Sequence, residues 1–582
     1  MLNLNQSANL VEVFEKITSL FENKIAYRFL LTDNDADEVN YLDFYTKVCS
    51  VANFLEQQFK LKPMDRVIIL YPPGLNYLYS FYGCLFAGII PVPAYPPDYR
   101  NIDRITAIVK DCQPALILAS SQIEQQLQTL FNNNNECQFF KGQIVFIPED
   151  QLNAKGSYHV PNLQKDSIAF LQYTSGSTAS PKGVVISHGN LLSNSNAIAL
   201  AVGSTAQTEM VSWLPPYHDM GLIGSIIHPF TMGMTTTLMS PMFFIKRPAR
   251  WLKAISNKTI GNHVLSPAPN FGYQLCVDKI NTDDIAGINL TKWKLAPCGA
   301  EPIRIDTYEK FCDKFEVNGF KRESFIPVYG LAEATLMLSG GITAQAPLVL
   351  DFNSMLIQDR LAVPVVEGDN SQFSPVTPLM GCGQVVTNHT ILIVDPATRS
   401  VCNDNEIGEI WVSGSSVARK YWGSKADHND VFQAYTSDGR GPFFRTGDMG
   451  FFINGELFIS GRLKDCLIIN GRNHFPQDIE NTISNTNPVL RQDCTAVFTI
   501  DNQLREVVIA VQEVARDRYE KEYFDQIFID VRKAVFQKHQ LAIEHIVLIN
   551  QASIPKTSSG KIQRSQTKKL FIENKLDVLA MS

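Results

Sequence analysis

The sequence contains no run of about 18 uninterrupted apolar residues, the minimum for a helix that spans a bilayer. The best attempt, Leu78 to Ala94, is broken by Ser80, Gly83, Gly88, Pro91 and Pro93. No transmembrane segment is therefore expected. An excess of positive charge is also missing. Lys and Arg total 51 against 58 Asp and Glu, a net charge of −7, which excludes the overall basic footprint of a nucleic-acid-binding protein. No CxxC spacing occurs among the 11 cysteines. Scattered thiols in odd number point to a reducing, cytoplasmic setting rather than a disulfide framework. The opening stretch from Met1 to Ile17 carries early acids and no basic cluster, and does not read as a secretory leader. GxxxxGK followed by Ser or Thr, GxGxxG, GxSxG and HExxH are all absent. An ordinary P-loop NTPase, a dinucleotide-dependent dehydrogenase, an α/β-hydrolase and a zinc peptidase are thereby disfavoured. Nor do the ten histidines gather with acids at metal-ligand spacing.

What is present is core-forming material in quantity: 45% of the 582 residues are hydrophobic and 19% charged. Short apolar runs at Val67–Leu70, Ala115–Ala119, Gln143–Ile147, Ile168–Gln172, Val184–Ile186, Thr236–Met239 and Lys294–Pro297 read as strands. Segments such as Tyr41–Phe59 and Ile102–Cys112 have helical spacing. Strands separated by helices argue for βαβ units and a mostly parallel, helix-covered sheet. After about Leu350 the rhythm changes, and Gly381–Val394 and Gly408–Gly414 read as short strands of an antiparallel or barrel-like part. From about Lys464 a compact α+β pattern follows: strand Cys466–Ile469, helix Pro476–Ser484, strands Thr495–Ile500 and Val507–Val511, helix Glu520–His539, strand Ile546–Ile549. The expected architecture is α/β. A large domain (1–463) has helix-covered mixed sheets and a barrel-like part at about 375–460. A small α+β C-terminal domain (464–582) follows it.

The sharpest local signal is Tyr173-Thr-Ser-Gly-Ser-Thr-Ala-Ser-Pro-Lys-Gly-Val184. It crowds the hydroxyls of Thr174, Ser175, Ser177, Thr178 and Ser180 into one loop between two expected strands. Gly176 and Gly183 let the backbone turn sharply, and Lys182 adds a cation. Oriented donors plus one positive charge, with no bulky Cβ in the way, suit an oligophosphate. A Ser/Thr-rich linker has the same composition; the position between two strands favours the phosphate reading.

That loop resembles the phosphate-binding signature of the adenylate-forming superfamily, which includes acyl-CoA synthetases, adenylation domains of peptide synthetases and luciferases. Further motifs of that superfamily stand in order along the chain. They are Trp213-Leu-Pro-Pro-Tyr-His-Asp-Met-Gly-Leu-Ile-Gly224, Gly299-Ala-Glu-Pro302, Tyr329-Gly-Leu-Ala-Glu333, Gly408-Glu-Ile-Trp-Val-Ser-Gly414, Phe444-Arg-Thr-Gly-Asp448, Gly461-Arg-Leu-Lys-Asp465 and Pro555-Lys-Thr-Ser-Ser-Gly-Lys561. Ala332 stands where Thr is usual. Within the superfamily the chain is most similar to the fatty acyl-AMP ligases, through Leu70-Tyr-Pro-Pro-Gly74, Pro91-Val-Pro-Ala-Tyr-Pro-Pro97, Pro267-Ala-Pro-Asn-Phe271 and the run from Asn470 to Glu480. The stretch Leu350–Gln372 falls where that family carries an insertion, and its apolar residues predict packing against the large domain.

The resemblance implies ATP and Mg²⁺ as cofactors. It implies nucleotide contacts from Thr174, Ser175, Gly176, Ser177, Thr178 and Lys182, from Gly299, Ala300 and Glu301, from Tyr329, Gly330, Leu331, Ala332 and Glu333, and from Asp448 and Arg462. Glu333 would hold the metal, Asp448 the ribose, and the ring of Tyr329 would cover adenine. Lys561 would join the carboxylate to the α-phosphate, with His218 beside the acyl carboxylate. Lys464 would be the hinge of a mobile C-terminal domain. An acyl pocket is expected around Ile223, Ile227, Phe230, Met232 and Phe271, residues that would serve equally well as core. The implied reaction is fatty acid plus ATP to acyl-AMP plus pyrophosphate. Transfer then goes to an acyl carrier protein or to a carrier domain of a polyketide or peptide synthetase. The chain ends shortly after Lys561, so that carrier is expected to be separate. A long-chain acyl-CoA ligase, an amino-acid-activating enzyme and a non-catalytic nucleotide-binding protein are the alternatives. The segment Lys556–Lys569 holds five basic residues and no acid, which fits either a docking strip for an acidic carrier or a solvated face.

Overall fold

Val67, Ile68, Ile69 and Leu70 form a strand buried on both faces, the pattern of a parallel strand covered by helices. The computed structural model describes residues 4–96, 102–133, 144–152, 158–174, 181–257, 263–341, 344–365, 375–423, 429–469, 472–501, 506–515, 524–556 and 560–582. They fall into two compact units: Met1–Pro347 with Gly383–Thr390 and Ser413–Phe432, and Leu348–Cys382 with Ile391–Val412 and Gln433–Ser582.

The first unit holds a nine-stranded sheet. Its middle runs, in spatial order, through Phe325–Gly330, Trp293–Cys298, His263–Leu265, Thr208–Ser212, Thr235–Met239 and Ile25–Leu30, each parallel to the next. The edges are antiparallel: Met337–Gly340 with Gln384–Val385 on one side, Ala36–Asn40 on the other. A second sheet stacks Ile90–Pro93, Arg66–Leu70, Leu116–Ala119 and Ile144–Val145, all parallel. A hairpin pairs Ile168–Thr174 with Lys182–Ser187. Helices Tyr41–Phe59 and Ile102–Cys112 occupy the spans that their periodicity predicts. Six strands of the large sheet lie outside the predicted set: Thr208–Ser212, His263–Leu265 and Phe325–Gly330, and besides these Ile25–Leu30, Ala36–Asn40 and Met337–Gly340. The first two are short and polar in part. The third carries Pro327, which argues against a central strand yet sits opposite Cys298 in the parallel register.

The second unit holds most of an antiparallel sheet, His389–Val394, Gly408–Gly414, Phe444–Ile453 and Glu456–Arg462. It also holds a hairpin of Val349–Asn353 with Val376–Met380. A mixed sheet orders Leu490–Asp501, Glu506–Val514, His545–Ile549 and Val578–Met581. Helices Pro476–Thr486 and Phe524–His539 bury Ile479, Ile483, Ile527, Val531 and Val535 against it. The expected insertion is a strand and a short helix, Ser354–Gln358; residues 366–372 lie outside the described set. Phe352 is fully buried, its ring 5.2 Å from Phe451 and 5.6 Å from Phe458. This segment packs on more than the expected large domain: its cluster includes Cys466 and Phe475. Gln358 donates to His539 O at 3.2 Å and accepts from Asn473 at 2.9 Å. No helix among the described residues is long and apolar enough to cross a membrane.

Two buried histidines make the first unit sensitive to acid. Leu10 N–H donates to His188 Nδ1 at 3.2 Å. His228 lies between Ser195 and Ser204, 2.9 and 3.0 Å from its two ring nitrogens. Burial holds His188 down at about 4 and His228 at about 3, against roughly 6.5 in an unfolded chain. The unfolded state takes up these protons first, so stability is full above about pH 6.5 and falls below it. Lowering the pH from 7.5 to 5 should cost about 2 kcal/mol for each histidine. Urea midpoints measured across that range check this, and His188→Asn with His228→Asn should flatten the dependence by about that amount.

Candidate active site

Four neighbouring parallel strands bring separated motifs to one edge of the large sheet. Strand Thr208–Ser212 runs into Trp213-Leu-Pro-Pro-Tyr-His218, strand His263–Leu265 into Pro267–Phe271, strand Trp293–Cys298 into Gly299–Glu301, and strand Phe325–Gly330 into Leu331–Glu333. Ligands of open α/β sheets bind at such carboxyl ends. The backbone here is tight. A Cβ on Gly299 would lie 2.6 Å from Val328 O, and one on Gly330 only 1.7 Å from Leu336 O, so both turns require glycine. Ala300 has φ +68°, and Thr335, two residues past Glu333, has φ +72° and ψ −64°. Leu336 N–H closes that γ-turn on Ala334 O at 2.9 Å. A β-branched residue in this conformation costs of order 1–3 kcal/mol and is held by its surroundings. Thr335 Oγ1 donates to Ser416 O at 2.6 Å.

Thr174 and Lys182 face each other as the stems of the hydroxyl-rich loop. Ser175, Gly176, Ser177 and Thr178 lie outside the described residues. Lys182 Nζ stands 4.8 Å from the ring centroid of Tyr421. The Tyr421 hydroxyl donates to Glu333 Oε1 at 2.9 Å. Tyr329 is largely buried at the end of its strand. Glu301 is less available than expected, because Oε1 accepts from Phe271 N–H at 2.7 Å in the first turn of helix Asn270–Lys279. His218 Nδ1 lies 2.7 Å from Asp219 Oδ1, which in turn accepts from Met220 N–H at 2.7 Å. That bond starts an eight-residue π-helix, Met220–Ile227. Gly221 permits it, since a Cβ there would lie 2.1 Å from Pro215 O.

At Phe230 the structure shows the core packing that the sequence left open as the alternative to an acyl pocket. Its ring packs at 4.2 to 6.0 Å from those of Phe14, Tyr27, Tyr41, Phe44 and Tyr82, which makes it core. Ile223, Ile227 and Met232 are buried too, and Phe271 lies 5.5 Å from Trp213. None of these five lines the small pocket of about 10 Å³ bounded by Tyr77, Leu78, Leu214, Pro216, Ile226 and Leu238.

In the second unit, Asp448 and Arg462 are cross-strand partners, with Nε 3.3 Å from Oδ1. Glu409 of the Gly408–Gly414 strand supports them from behind. Its Oε2 accepts from Arg445 Nε and Nη2 at 2.9 and 2.7 Å and from Trp411 Nε1 at 2.9 Å, while Oε1 accepts from Gly447 N–H at 3.2 Å. The spacing of Glu409 to Arg445 carries no signal along the chain without the strand register that pairs Trp411 with Arg445. Lys464 is exposed in a turn closed by Asp465 N–H and Cys466 N–H on Arg462 O. Lys561 lies beside the Lys556–Ile562 bridge, just before helix Arg564–Ile572. Arg564 is not a docking cation. It is engaged at 2.6 and 2.7 Å by both oxygens of Glu480 and at 2.7 Å by Asp465, and these partners raise its pKa further. Among the described residues no group of three or more His, Cys, Asp or Glu gathers as a metal centre. A single carboxylate such as that of Glu333 is compatible with Mg²⁺, which takes one or two carboxylates and fills its other positions from phosphates and water.

The model for AMP-binding enzymes matches residues 14–422, and one for the AMP domain of Disco-interacting protein 2-like proteins matches 464–581. The chain is 37% identical to the medium-chain fatty acid–acyl-carrier-protein ligase JamA of Moorena producens, over 95% of this chain and 93% of that one. It is similar to a crystal structure of a fatty acid AMP ligase from Legionella pneumophila, with 34% identity, a TM-score of 0.75 and coverage of 100% and 99%. A structure of the fatty acyl-adenylate ligase from L. pneumophila in complex with acyl adenylate and pyrophosphate gives 34% identity, a TM-score of 0.74 and the same coverage.

Arg564 allows a direct check of the clamp. Arg564→Met leaves Glu480 and Asp465 without their cation and should lower stability by about 3–5 kcal/mol. Lys568→Glu with Lys569→Glu should change it by about 0.5 kcal/mol or less. Chemical unfolding of the two variants separates clamp from solvated face, and equal effects would refute the clamp.

Proposed function

The chain belongs to the AMP-binding enzymes, and on that premise we infer that it is a fatty acyl-AMP ligase. It activates a fatty acid with ATP, releases pyrophosphate, and passes the acyl group to the phosphopantetheine thiol of a separate acyl carrier protein or carrier domain. The observation that carries this reading is the convergence of His218, Gly299–Glu301 and Tyr329–Glu333 at adjacent carboxyl ends of one parallel sheet, next to the Thr174–Lys182 stem whose lysine is linked to Glu333 through Tyr421.

In the first half-reaction a carboxylate oxygen forms a bond to the α-phosphorus and the bond to the bridging oxygen of pyrophosphate breaks. In the second, the thiol sulfur attacks the acyl carbon, AMP leaves, and the thiol proton is released. Two anions must meet in the first step, so fixed cations and donors matter more than a covalent nucleophile. We assign Lys561 to hold the carboxylate and α-phosphate oxygens together, and Lys182 with the hydroxyls and N–H groups of 174–178 to cradle the leaving phosphates. The segments 299–301 and 329–332 would frame the adenine, with Asp448 and Arg462 on the ribose or phosphate. His218, held by Asp219, would orient the acyl carboxylate, with the fatty chain beside the π-helix Met220–Ile227. Bound at Glu333, Mg²⁺ would supply charge neutralisation on the phosphates. A cytoplasmic setting is supported by the ten described cysteines, all of them thiols.

The functional boundary is placed at Lys464, supported by the family match that begins there. The insertion is proposed to restrain residues 464–582 from the arrangement that forms CoA thioesters. Support comes from Gln358, whose hydrogen bonds to His539 and Asn473 would oppose rotation about Lys464. This favours a carrier thiol over free CoA as acceptor.

Mass spectrometry of the adenylate formed from a pool of carboxylic acids tests the reaction; an aminoacyl adenylate, or none, would overturn it. Lys561→Ala should slow pyrophosphate release on the order of 10²–10³-fold while ATP still binds. Near-wild-type release would remove Lys561 from the mechanism. For the restraint, deletion of the insertion is a poor test because Phe352 is core. Gln358→Ala with Asn473→Ala should instead keep adenylation and raise acyl-CoA formation by roughly tenfold, the effect of one to two lost hydrogen bonds. Intact adenylation with no gain of thioester would refute it.

A further inference from the structure

We propose that Tyr421 is a positioning residue for adenylation: its hydroxyl sets the carboxylate of Glu333 for the metal, and its ring seats Lys182 for the phosphates. The proposal rests on the function inferred above and adds to it a residue outside every motif that carried the family resemblance.

The geometry has three parts. Tyr421 Oη donates to Glu333 Oε1 at 2.9 Å, which fixes one oxygen of a carboxylate that stands on a turn rather than on a long helix or central strand. Lys182 Nζ lies 4.8 Å from the Tyr421 ring centroid, within the range in which a cation is attracted by a ring face. The backbone around Tyr421 is tied to both partners. Trp422 N–H donates to Gly183 O at 2.7 Å, Val185 N–H donates to Lys420 O at 3.2 Å, and Ala418 N–H donates to Glu333 O at 2.7 Å. Ser416 completes the attachment, donating to Ala334 O at 2.9 Å and accepting from the strained Thr335 at 2.6 Å. Segment 416–422 is thus a strap that sets the spacing between the loop stem and the acid, and Tyr421 is the side chain that fills that spacing.

The chemistry fits the task. A tyrosine hydroxyl ordinarily titrates at about 10, so it is a neutral donor at neutral pH. A neutral donor orients a carboxylate without cancelling the charge that attracts a metal, which Arg or Lys in its place would do. The ring likewise positions Lys182 without pairing its charge. A carboxylate and an ammonium placed close together would neutralise each other. With the tyrosine between them, both keep their charge for Mg²⁺ and for phosphate.

Tyr421→Phe keeps the ring and removes the donor; Tyr421→Leu removes both. Binding of a non-hydrolysable ATP analogue is measured by calorimetry with and without Mg²⁺, alongside thermal unfolding. For Tyr421→Phe we expect roughly tenfold weaker Mg²⁺-dependent binding, the effect of losing a hydrogen bond to a charged group, with metal-free binding unchanged. For Tyr421→Leu, metal-free binding should fall as well. A Tyr421→Phe protein whose Mg²⁺ dependence matches wild type overturns the proposal, as does a Tyr421→Leu protein that loses thermal stability but binds the analogue as wild type does. Pyrophosphate release by the wild type with fatty acids is scored separately. Its absence would refute the inferred function, while the binding measurements would still decide the role of Tyr421 toward metal and phosphate.

Discussion

Strands that run parallel in one sheet must all end on the same side, whatever lies between them in sequence. In this chain that constraint gathers His218, Gly299–Glu301 and Glu333, which are spread over more than a hundred residues. It does so because Thr208–Ser212, His263–Leu265, Trp293–Cys298 and Phe325–Gly330 are consecutive neighbours. Their turns can then approach one another only through residues without bulk. Gly221, Gly299 and Gly330 each stand where a Cβ would collide with a backbone carbonyl. The strained backbone at Ala300 and Thr335 belongs to the same economy of space. Unfavourable local conformations persist where several surrounding bonds over-determine them, as Ser416 and Asn194 do around Thr335 through their bonds to Ala334, Thr335 and Met337.

Buried charge organises the second unit in a comparable way. Glu409 is almost fully buried yet gathers Arg445, Trp411 and Gly447 around its two oxygens. It thereby fixes the bend that presents Asp448 opposite Arg462. Arg564 joins Glu480 of one helix to Asp465 of the turn at Lys464, so the start of the helix after Lys561 is tied to the turn assigned as a hinge. Such ion pairs add little net stability when intact, but they are costly to break. They specify a geometry more than they strengthen it.

The insertion shows how one apolar residue changes a segment's meaning. Phe352, against Phe451 and Phe458, makes the strand Val349–Asn353 part of the core rather than an appended loop. With that anchor in place, Gln358 reaches the backbone of His539 and accepts from Asn473. Contacts of this size bias an equilibrium between arrangements by factors of ten, not by orders of magnitude beyond that, which is the scale on which acceptor choice can be tuned.

Local pattern along the chain carries the fold class, the helices Tyr41–Phe59 and Ile102–Cys112, about half of the strands and the order of the motifs. These features are local: periodicity, glycine and hydroxyl clustering, and spacing along the chain record them directly. Tertiary structure alone decided which residues stand together. Phe325–Gly330 is a central strand despite Pro327, because its neighbours supply the register that propensity denied it. Phe230 is core because five rings converge on it from distant segments. Arg564 looked like one more surface cation until Glu480 and Asp465 closed on it. Tyr421 carried no signal at all, since its two partners lie about 90 and 240 residues away along the chain, and only the strap's hydrogen bonds bring the three together.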